Sequence, residues 1–514
     1  MQRTAARSGA CGLAKYKILR DVFGYDSFRP GQEAIVDRLL AGHNVLAVMP
    51  TGAGKSLCFQ VPALVKTGLT IVVSPLVALM QDQVAALKLA GVAAETINSA
   101  ATREENVEIW QRVASGAVRI LYLAPERLMT ERMISALQRL NVALIAVDEA
   151  HCISQWGASF RPEYDALQSL KTAFPDTPIG AFTATADEAA RNDMVKKLFG
   201  GSAEVFVSGF DRPNIRLVVE PKSNSKKQLL EFMKGRESES GIVYTLSRKK
   251  AEEWAQFLQE EGFRALPYHA GMSADARSEN QNVFMAERGV VICATIAFGM
   301  GIDKPDVRFV FHADLPSSLD AYYQEIGRAG RDGEAADAHL IFGMQDVVLR
   351  RKFIDNEDGP EALAKAQHRR LRSLVNYCEA AGCRRQVLLN YFGETSPPCN
   401  NCDGCLGFGR MDQSATRSPR RATRAPTSSS SPNATFADAD LLAQLKILRM
   451  KLAKARGVAA FVIFSDKSLI DMAAKKPLTK WDFGEVHGVG AAKQEQFGEV
   501  FLATIANFVR AENA

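Results

Sequence analysis

Short apolar runs rich in β-branched residues alternate with longer amphipathic stretches from about residue 30 to residue 345. Because the runs are apolar throughout, they are typical of parallel strands whose two faces are both covered by helices. A first set of runs spans residues 44–49, 70–74, 119–124, 144–147 and 179–182, and a second spans residues 241–245, 265–269, 290–294, 307–312 and 338–342. The two sets separate near residues 205–225 and predict two α/β lobes.

Length and charge narrow the class of protein. A chain of 514 residues is too long for a single core. The net charge is only +5, from 63 Lys and Arg against 58 Asp and Glu, so any nucleic-acid contact must come from local patches. The sequence contains no recognisable secretory signal and no apolar run long enough to span a bilayer, which predicts an intracellular protein without membrane contact.

A Gly-rich turn follows the first apolar run, where residues 49–56 read Met-Pro-Thr-Gly-Ala-Gly-Lys-Ser. Glycines permit the turn's dihedral angles and let backbone N–H groups approach phosphate oxygens. Lys55 can place its charge at the β- and γ-phosphates of ATP, and the Ser56 hydroxyl can ligate Mg²⁺. The strict pattern has Gly where this chain has Met49, so an ordinary strand–helix turn is the alternative. The candidate phosphate-binding residues are Thr51, Gly52, Gly54, Lys55 and Ser56.

A second apolar run ends in two acidic residues, in the sequence Leu-Ile-Ala-Val-Asp-Glu-Ala-His of residues 144–151. Asp148 can hold the Mg²⁺ shell, and Glu149 can orient and deprotonate the attacking water. The alternative is a pair of solvated acids at a strand end. The Gly-Lys-Ser turn upstream in the same α/β pattern argues against this alternative. His151 is a candidate for coupling the γ-phosphate to these acids, or else a structural histidine.

The third candidate element lies in the second lobe, where residues 322–333 read Tyr-Tyr-Gln-Glu-Ile-Gly-Arg-Ala-Gly-Arg-Asp-Gly. Arg328 and Arg331 are three residues apart and would share a face on a helical turn. If the lobes close over ATP, this face can bring a guanidinium to the charge that develops in the transition state. A surface pair bonded to Glu325 or Asp332 is the alternative.

In this order the motifs resemble those of the RecQ family of DNA helicases, within helicase superfamily 2, over residues 20–405 and 437–510. The resemblance implies an α/β fold of two RecA-like lobes, then a helical zinc-binding segment and a small all-α HRDC-like domain. Residues 23–25 and 28–32 resemble the family's adenine-recognition motif. Gln32 offers a donor and an acceptor to the adenine edge, and Tyr25 or Arg29 can stack on the base.

Residues 154–164 resemble the family's aromatic-rich loop, which senses single-stranded DNA. Aromatic rings can stack on bases and an arginine can bind phosphate, while a hydrophobic plug under the sheet is the alternative. In this superfamily Thr183 and Thr185 help to couple hydrolysis to strand movement. The candidate DNA-coupling residues are Trp156, Phe160, Arg161, Tyr164, Thr183 and Thr185.

Three of the nine cysteines form two overlapping C-x₂-C spacings, at Cys399, Cys402 and Cys405. Such spacing suits tetrahedral thiolate coordination of a structural Zn²⁺. The family pattern places the fourth ligand at Cys383. Cys378 would point away from Cys383 on a continuous helix and is held in reserve.

The expected domains are residues 1–205 and 206–345 for the two lobes, 346–405 for the zinc segment, 406–436 for a flexible Arg/Ser/Pro linker and 437–514 for the HRDC-like domain. Many family members carry a winged-helix domain where this chain has only the linker, which departs from the family's duplex-binding architecture. Basic residues at 446–456 are either a solvated face or a nucleic-acid contact.

These observations predict an ATP-dependent DNA helicase that uses ATP, Mg²⁺ and Zn²⁺ and unwinds duplexes in repair and recombination. A 3′→5′ direction is implied by the resemblance. The expected partners are single-stranded and forked DNA, with a single-strand-binding protein as a candidate, and we expect a cytoplasmic monomer, nucleoid-associated if bacterial. The alternatives are an RNA-directed helicase and a nucleic-acid-binding scaffold with a vestigial ATP site.

Overall fold

The computed structural model describes residues 13–50, 52–98, 101–154, 162–207, 209–299, 304–356, 361–407, 439–458 and 460–512. Among these residues, no helix combines the length and the apolar character needed to cross a membrane.

The first lobe is a seven-stranded parallel sheet in the order β3-β4-β2-β5-β6-β1-β7. Its strands are β1 (Val45–Val48), β2 (Leu69–Val73), β3 (Ala94–Ile97), β4 (Ile120–Leu123), β5 (Val142–Val147), β6 (Ile179–Thr183) and β7 (Glu204–Val207). Its helices are α1 (13–21), α2 (Gln32–Leu40), α3 (Lys55–Val65), α4 (Val77–Leu89), α5 (Arg103–Ala114), α6 (Pro125–Leu128), α7 (Glu131–Leu137), α8 (Pro162–Asp165), α9 (Leu170–Ala173) and α10 (Glu188–Phe199), with 3₁₀ turns at Ala150–Ile153 and Ala166–Ser169.

The second lobe is a six-stranded parallel sheet in the order β10-β11-β9-β12-β13-β8. Its strands are β8 (Ile215–Pro221), β9 (Ser240–Tyr244), β10 (Arg264–Tyr268), β11 (Val290–Ala294), β12 (Val307–His312) and β13 (Ala336–Phe342). Its helices are α11 (Ser225–Met233), α12 (Arg248–Glu260), α13 (Ala274–Ala286) and α14 (Leu319–Ile326). The two parallel α/β lobes expected from the sequence are confirmed.

Helices form the rest of the described chain. The zinc segment contains α15 (Met344–Asp355), α16 (Glu361–Glu379), α17 (Arg384–Tyr391) and α18 (Asp403–Leu406), and the terminal module contains α19 (Ala439–Arg456), α20 (Ala460–Ile463), α21 (Asp466–Lys475), α22 (Lys480–Gly484) and α23 (Ala491–Glu512). Buried side chains of the zinc segment join the core of the lobes, whereas the module has a core of its own. The linker expected at 406–436 lies outside the described residues from 408 onward.

Three strands, β3, β7 and β8, lie outside the runs that the sequence suggested. β3 includes Glu95, whose buried carboxylate is neutralised by Lys88 and Arg112. β7 pairs with β1, so the first sheet extends past the lobe boundary expected at residue 205. Charged or alternating residues in these strands hide them from a search for continuous apolar runs.

Candidate nucleotide and zinc sites

The Gly-rich turn lies between β1 and α3, at the carboxyl end of the first sheet. Gly52 and Gly54 have φ values of +84° and +82°, a region that side chains other than glycine rarely adopt. Lys55 begins α3, and its Nζ donates a hydrogen bond to Met49 O at 3.2 Å. The turn leaves Lys55 and Ser56 on the wall of a cavity of about 760 Å³, a size suited to a nucleotide. Thr51 lies outside the described residues.

The adenine motif adjoins this turn through Gln32. Gln32 Nε2 donates to the carbonyls of Ala53 at 2.9 Å and Gly54 at 3.0 Å, and Oε1 accepts from the Arg29 N–H at 2.8 Å. The Arg29 guanidinium also bonds to the Gly52 carbonyl. Gln32 and Arg29 therefore shape the phosphate turn, in addition to lining the cavity beside Tyr25.

Asp148 and Glu149 follow β5 and line the same cavity. Burial, together with the neighbouring charge of Glu149, raises the pKa of Asp148 to about 7. Burial would also raise the pKa of Glu149, but the hydrogen bond and charge of His151 and the positive charge of Lys55 hold it to about 2. Glu149 has a φ of +49°, a strained backbone of the kind found at functional sites. The charges of His151 and Lys55 therefore keep Glu149 ionised.

A chain of polar contacts runs from these acids to the second lobe. His151 Nδ1 lies 3.3 Å from a Glu149 carboxylate oxygen and 2.9 Å from the Thr183 hydroxyl. The Thr183 hydroxyl donates to the Thr185 carbonyl at 3.0 Å. Gln324 of α14 then donates to the Thr185 hydroxyl at 2.8 Å. The structure therefore places His151, Thr183 and Thr185 in one path between the lobes.

Arg328 and Arg331 both line the cavity, but not from a helix. α14 ends at Ile326, so the expected helical turn is not formed and both arginines lie in the following turn, where Gly330 has a φ of +57°. A Cβ added at Gly52 would lie 3.8 Å from Arg331 Cγ, so Arg331 extends over the phosphate turn of the other lobe.

The alternative partners expected for this arginine pair are engaged elsewhere. Glu325 lies 2.7 Å from His312 Nε2, and Asp332 accepts from Arg308 at 2.7 Å. The cavity thus has basic groups of the second lobe facing acidic groups of the first. This arrangement can hold a triphosphate between two sheets.

The terminal module also lines this cavity, which sequence reasoning missed. It contributes Phe461, Ser465, Lys467 and His487. The His487 ring lies 5.4 Å from the ring of Tyr25, and the Gly488 N–H donates to the Gly24 carbonyl at 2.9 Å. The only sequence signal was the glycine-rich stretch at 486–490, which permits close backbone approach.

The module's basic helix is partly neutralised. Arg449 and Lys446 of α19 pair with Asp466 at 2.6 Å and 3.5 Å. Asp466 also pairs with Arg288 of the second lobe at 3.3 Å. These two basic residues therefore serve contacts within the protein rather than forming a free basic face.

The aromatic-rich loop is described only at its ends. Trp156, Phe160 and Arg161 lie outside the described residues. Tyr164 is fully buried, and its hydroxyl donates to the Asp148 carbonyl at 3.0 Å. The expectation that Tyr164 offers a stacking face to DNA is therefore wrong, because its ring is enclosed by protein. Its contact ties the end of the loop to the acidic strand.

Four cysteine sulfur atoms, those of Cys383, Cys399, Cys402 and Cys405, lie within 4.8 Å of one another. Backbone N–H groups donate to them: that of Cys399 to the Cys383 sulfur at 3.3 Å and that of Cys405 to the Cys402 sulfur at 3.4 Å. N–H contacts lower the pKa of the Cys383 thiol to about 7 against the effect of burial, whereas burial raises the pKa of Cys399 and of Cys405. Thiolates at this spacing fit a tetrahedral Zn²⁺, which the segment would hold as a structural ion. Cys378 is buried outside this cluster.

Four family models match the chain in order. They are DEAD/DEAH box helicase at residues 29–193, Helicase conserved C-terminal domain at 224–333, RecQ zinc-binding at 344–406 and HRDC domain at 438–505. Among solved structures, S. cerevisiae Dbp5 bound to RNA and ADP BeF3 has a TM-score of 0.52 at 19% identity, covering 68% of this chain and 94% of that one. This likeness shows the two-lobe fold.

Curated relatives extend over nearly the whole chain. The ATP-dependent DNA helicase RecQ of Pasteurella multocida is 36% identical, covering 95% of this chain and 93% of the relative. The protein of the same name from Bacillus subtilis is 34% identical, covering 96% and 98%. The chain therefore belongs to the RecQ family of ATP-dependent DNA helicases, with the zinc-binding and HRDC domains of that family.

Proposed function

We propose that this protein hydrolyses ATP with Mg²⁺ to move 3′→5′ along single-stranded DNA and to separate duplexes during repair and recombination. The observation that carries the proposal is the shared cavity, in which Lys55 and Arg331 come from different sheets. A triphosphate bound there bridges the two lobes, and its hydrolysis removes the bridge. Each cycle then changes the separation of the lobes and their hold on the strand.

The residues of the cavity have distinct proposed roles. Lys55 binds the β- and γ-phosphates, and Ser56 with Asp148 holds Mg²⁺. Glu149, which its low pKa keeps ionised, orients the attacking water and is the proposed acceptor of its proton. Arg331, assisted by Arg328, stabilises the charge on the transferred phosphoryl group. Tyr25, Arg29 and Gln32 bind the base and shape the turn, and the proposed phosphate contacts of the turn are Thr51, Gly52 and Gly54.

Coupling to DNA is proposed for the loop after the acidic strand and for the polar path between the lobes. Trp156, Phe160 and Arg161 would contact the strand, while Tyr164 anchors the loop to Asp148. His151, Thr183 and Thr185 transmit lobe movement to the acids.

The remaining proposals concern the whole protein. We expect a monomer in the cytoplasm, at the nucleoid if the source is bacterial, with forked DNA as substrate and a single-strand-binding protein as a partner. The domain boundaries proposed are those at residues 345, 405 and 436, and the first boundary, expected at 205, is moved past the end of β7 at Val207.

The test compares ATP hydrolysis with single-stranded DNA, with RNA of the same sequence and without nucleic acid. We expect DNA to stimulate hydrolysis and RNA to have little effect, and Lys55→Ala to abolish hydrolysis in all three while DNA binding remains. Equal stimulation by RNA would support the RNA-directed alternative. Hydrolysis unchanged by Lys55→Ala would support the scaffold with a vestigial site.

A further inference from the structure

α14, the helix that leads into the two arginines, is held from outside by the zinc segment. At its first turn, the Tyr391 hydroxyl of α17 donates to Asp320 Oδ2 at 2.6 Å. Further along, the Tyr377 hydroxyl of α16 donates to the Tyr322 hydroxyl at 3.3 Å. Both contacts lie in a packed interior: Tyr322 and Tyr377 are fully buried and Asp320 is 8% exposed.

A third contact reaches the next residue of α14. The Phe392 ring stacks on Phe210 with centroids 4.5 Å apart and lies 4.9 Å from the Tyr323 ring. The Tyr323 hydroxyl donates to the Phe210 carbonyl at 2.8 Å. Phe210 is thereby fixed between the zinc segment and α14.

Phe210 leads directly to a residue that holds the arginine turn itself. The Arg212 guanidinium donates to the carbonyls of Gly327 at 3.3 Å, Ala329 at 2.8 Å and Gly330 at 2.8 Å. These carbonyls flank Arg328 and immediately precede Arg331. The turn is therefore supported through α14 and also through the segment that Phe392 fixes.

The Tyr391–Asp320 contact can be removed by the loss of a single hydroxyl group. Burial raises the pKa of Asp320, and the hydroxyl of Tyr391 supplies a hydrogen bond that opposes this shift. The Tyr391 ring packs against the Phe392 ring with centroids 5.1 Å apart, so loss of its hydroxyl leaves the ring in place. Displacement of a transition-state contact by even 1 Å can lower a rate by about a hundredfold.

We propose that the zinc segment positions the arginine turn, and that Tyr391 is a positioning residue for ATP hydrolysis. This inference rests on the proposed role of Arg331. The nucleotide is bound mainly by the first lobe, through the phosphate turn and the adenine motif. Loosening α14 therefore lowers the rate of the chemical step without weakening ATP binding.

The test measures DNA-stimulated hydrolysis by the full-length Tyr391→Phe variant. We expect kcat to fall about tenfold while KM for ATP changes by less than about twofold. Zinc content and Tm stay at parent values. Affinity for ADP with aluminium fluoride, which mimics the transition state, falls by a similar factor, whereas affinity for ADP alone does not.

A double-mutant cycle tests the contact itself. Asp320→Ala lowers kcat, and the double variant with Tyr391→Phe is no slower than the slower single variant, because one bond is lost in each case. Additive losses contradict the proposal. Tyr268→Phe is the matched control, because it also removes one tyrosine hydroxyl from the second lobe. Tyr268 lies on β10, the edge strand of that sheet, and its hydroxyl bonds to Gln281 of α13 at 3.4 Å.

The outcomes separate this inference from the proposed function. If Arg331→Ala leaves kcat unchanged, the proposed arginine role fails. If Arg331→Ala lowers kcat but Tyr391→Phe does not, the positioning role of the zinc segment fails, while the proposed role of Arg331 stands. A fall in kcat that merely accompanies zinc loss or a lower Tm also contradicts the positioning role.

Discussion

Gln32, a proposed adenine-binding residue, also holds the phosphate turn. Its amide is bonded to the carbonyls of Ala53 and Gly54, and a Cβ added at Gly54 would lie 2.4 Å from Gln32 Nε2. The phosphate turn therefore keeps its shape because a glycine faces the glutamine. In the proposed role of Gln32 at the adenine, this contact would link recognition of the base to binding of the phosphates.

Gln32→Ala should raise KM for ATP by about tenfold, because two carbonyls lose a donor and the turn loosens. Steady-state hydrolysis with saturating DNA measures this change. Gln138→Ala is a matched control, since its exposed amide bonds to the carbonyl of Ala173 in the same lobe. A KM equal to that of the parent would contradict the shared role of Gln32.

At the scale of elements, the aromatic-rich loop has anchors on both sides of its undescribed centre. The Ser154 hydroxyl donates to Asp193 at 2.8 Å, and Tyr164 is bonded to the Asp148 carbonyl. In the proposed coupling, DNA bound by this loop would act through Tyr164 on the end of β5, where Asp148 lies.

Trp156→Ala should reduce DNA-stimulated hydrolysis towards the basal rate and leave the basal rate itself intact, because the stacking face is lost while the cavity is unchanged. Hydrolysis across a DNA titration is the measurement. Trp481→Ala serves as the control, since Trp481 is 79% exposed in the terminal module. Stimulation matching the parent would refute the coupling role.

The zinc cluster joins α17 to α18, so its loss should destabilise both helices. Cys402→Ser should abolish zinc binding and lower Tm, because the folded cluster is stabilised by the ion. Metal analysis and thermal unfolding measure the two effects. Cys378→Ala should keep its zinc, and a metal-free Cys402→Ser variant with parent Tm and activity would overturn the structural assignment.

Local patterns in the sequence predicted most strands of the two sheets, the phosphate turn and three of the four clustered cysteines, because each depends on residues close together in the chain. The fourth cysteine, Cys383, was assigned from the family resemblance. Distant partners were not visible. The strand that contains Glu95 requires basic residues from α4 and α5, and the burial of Tyr164 depends on packing under the first sheet. His487 reaches the cavity only because the module docks beside Tyr25.

At the scale of the whole molecule, the terminal module touches both lobes. A Cβ added at Gly490 would lie 2.4 Å from the Val22 carbonyl of the first lobe, and Asp466 pairs with Arg288 of the second. When the lobes change separation in the proposed cycle, the module must therefore either lose its contact with one lobe or move with the lobes.

Gly490→Ala should release the module from the first lobe, since the clash is with that lobe and Gly490 has no positive φ. We expect a larger radius of gyration in solution scattering and faster proteolysis between the zinc segment and the module. Gly498→Ala is the control, because its Cβ would make only ordinary contact with Phe483 at 3.5 Å. Identical scattering from both variants would contradict the docking.

Strand separation on tailed duplexes tests most directly whether a phosphate held between the two lobes drives movement along DNA. With ATP and Mg²⁺, the parent should unwind a duplex with a 3′ single-stranded tail and leave a 5′-tailed one largely intact, while Lys55→Ala should unwind neither and still bind the tail. A parent protein that leaves both duplexes intact, or that hydrolyses ATP at one rate with and without DNA, would contradict the account.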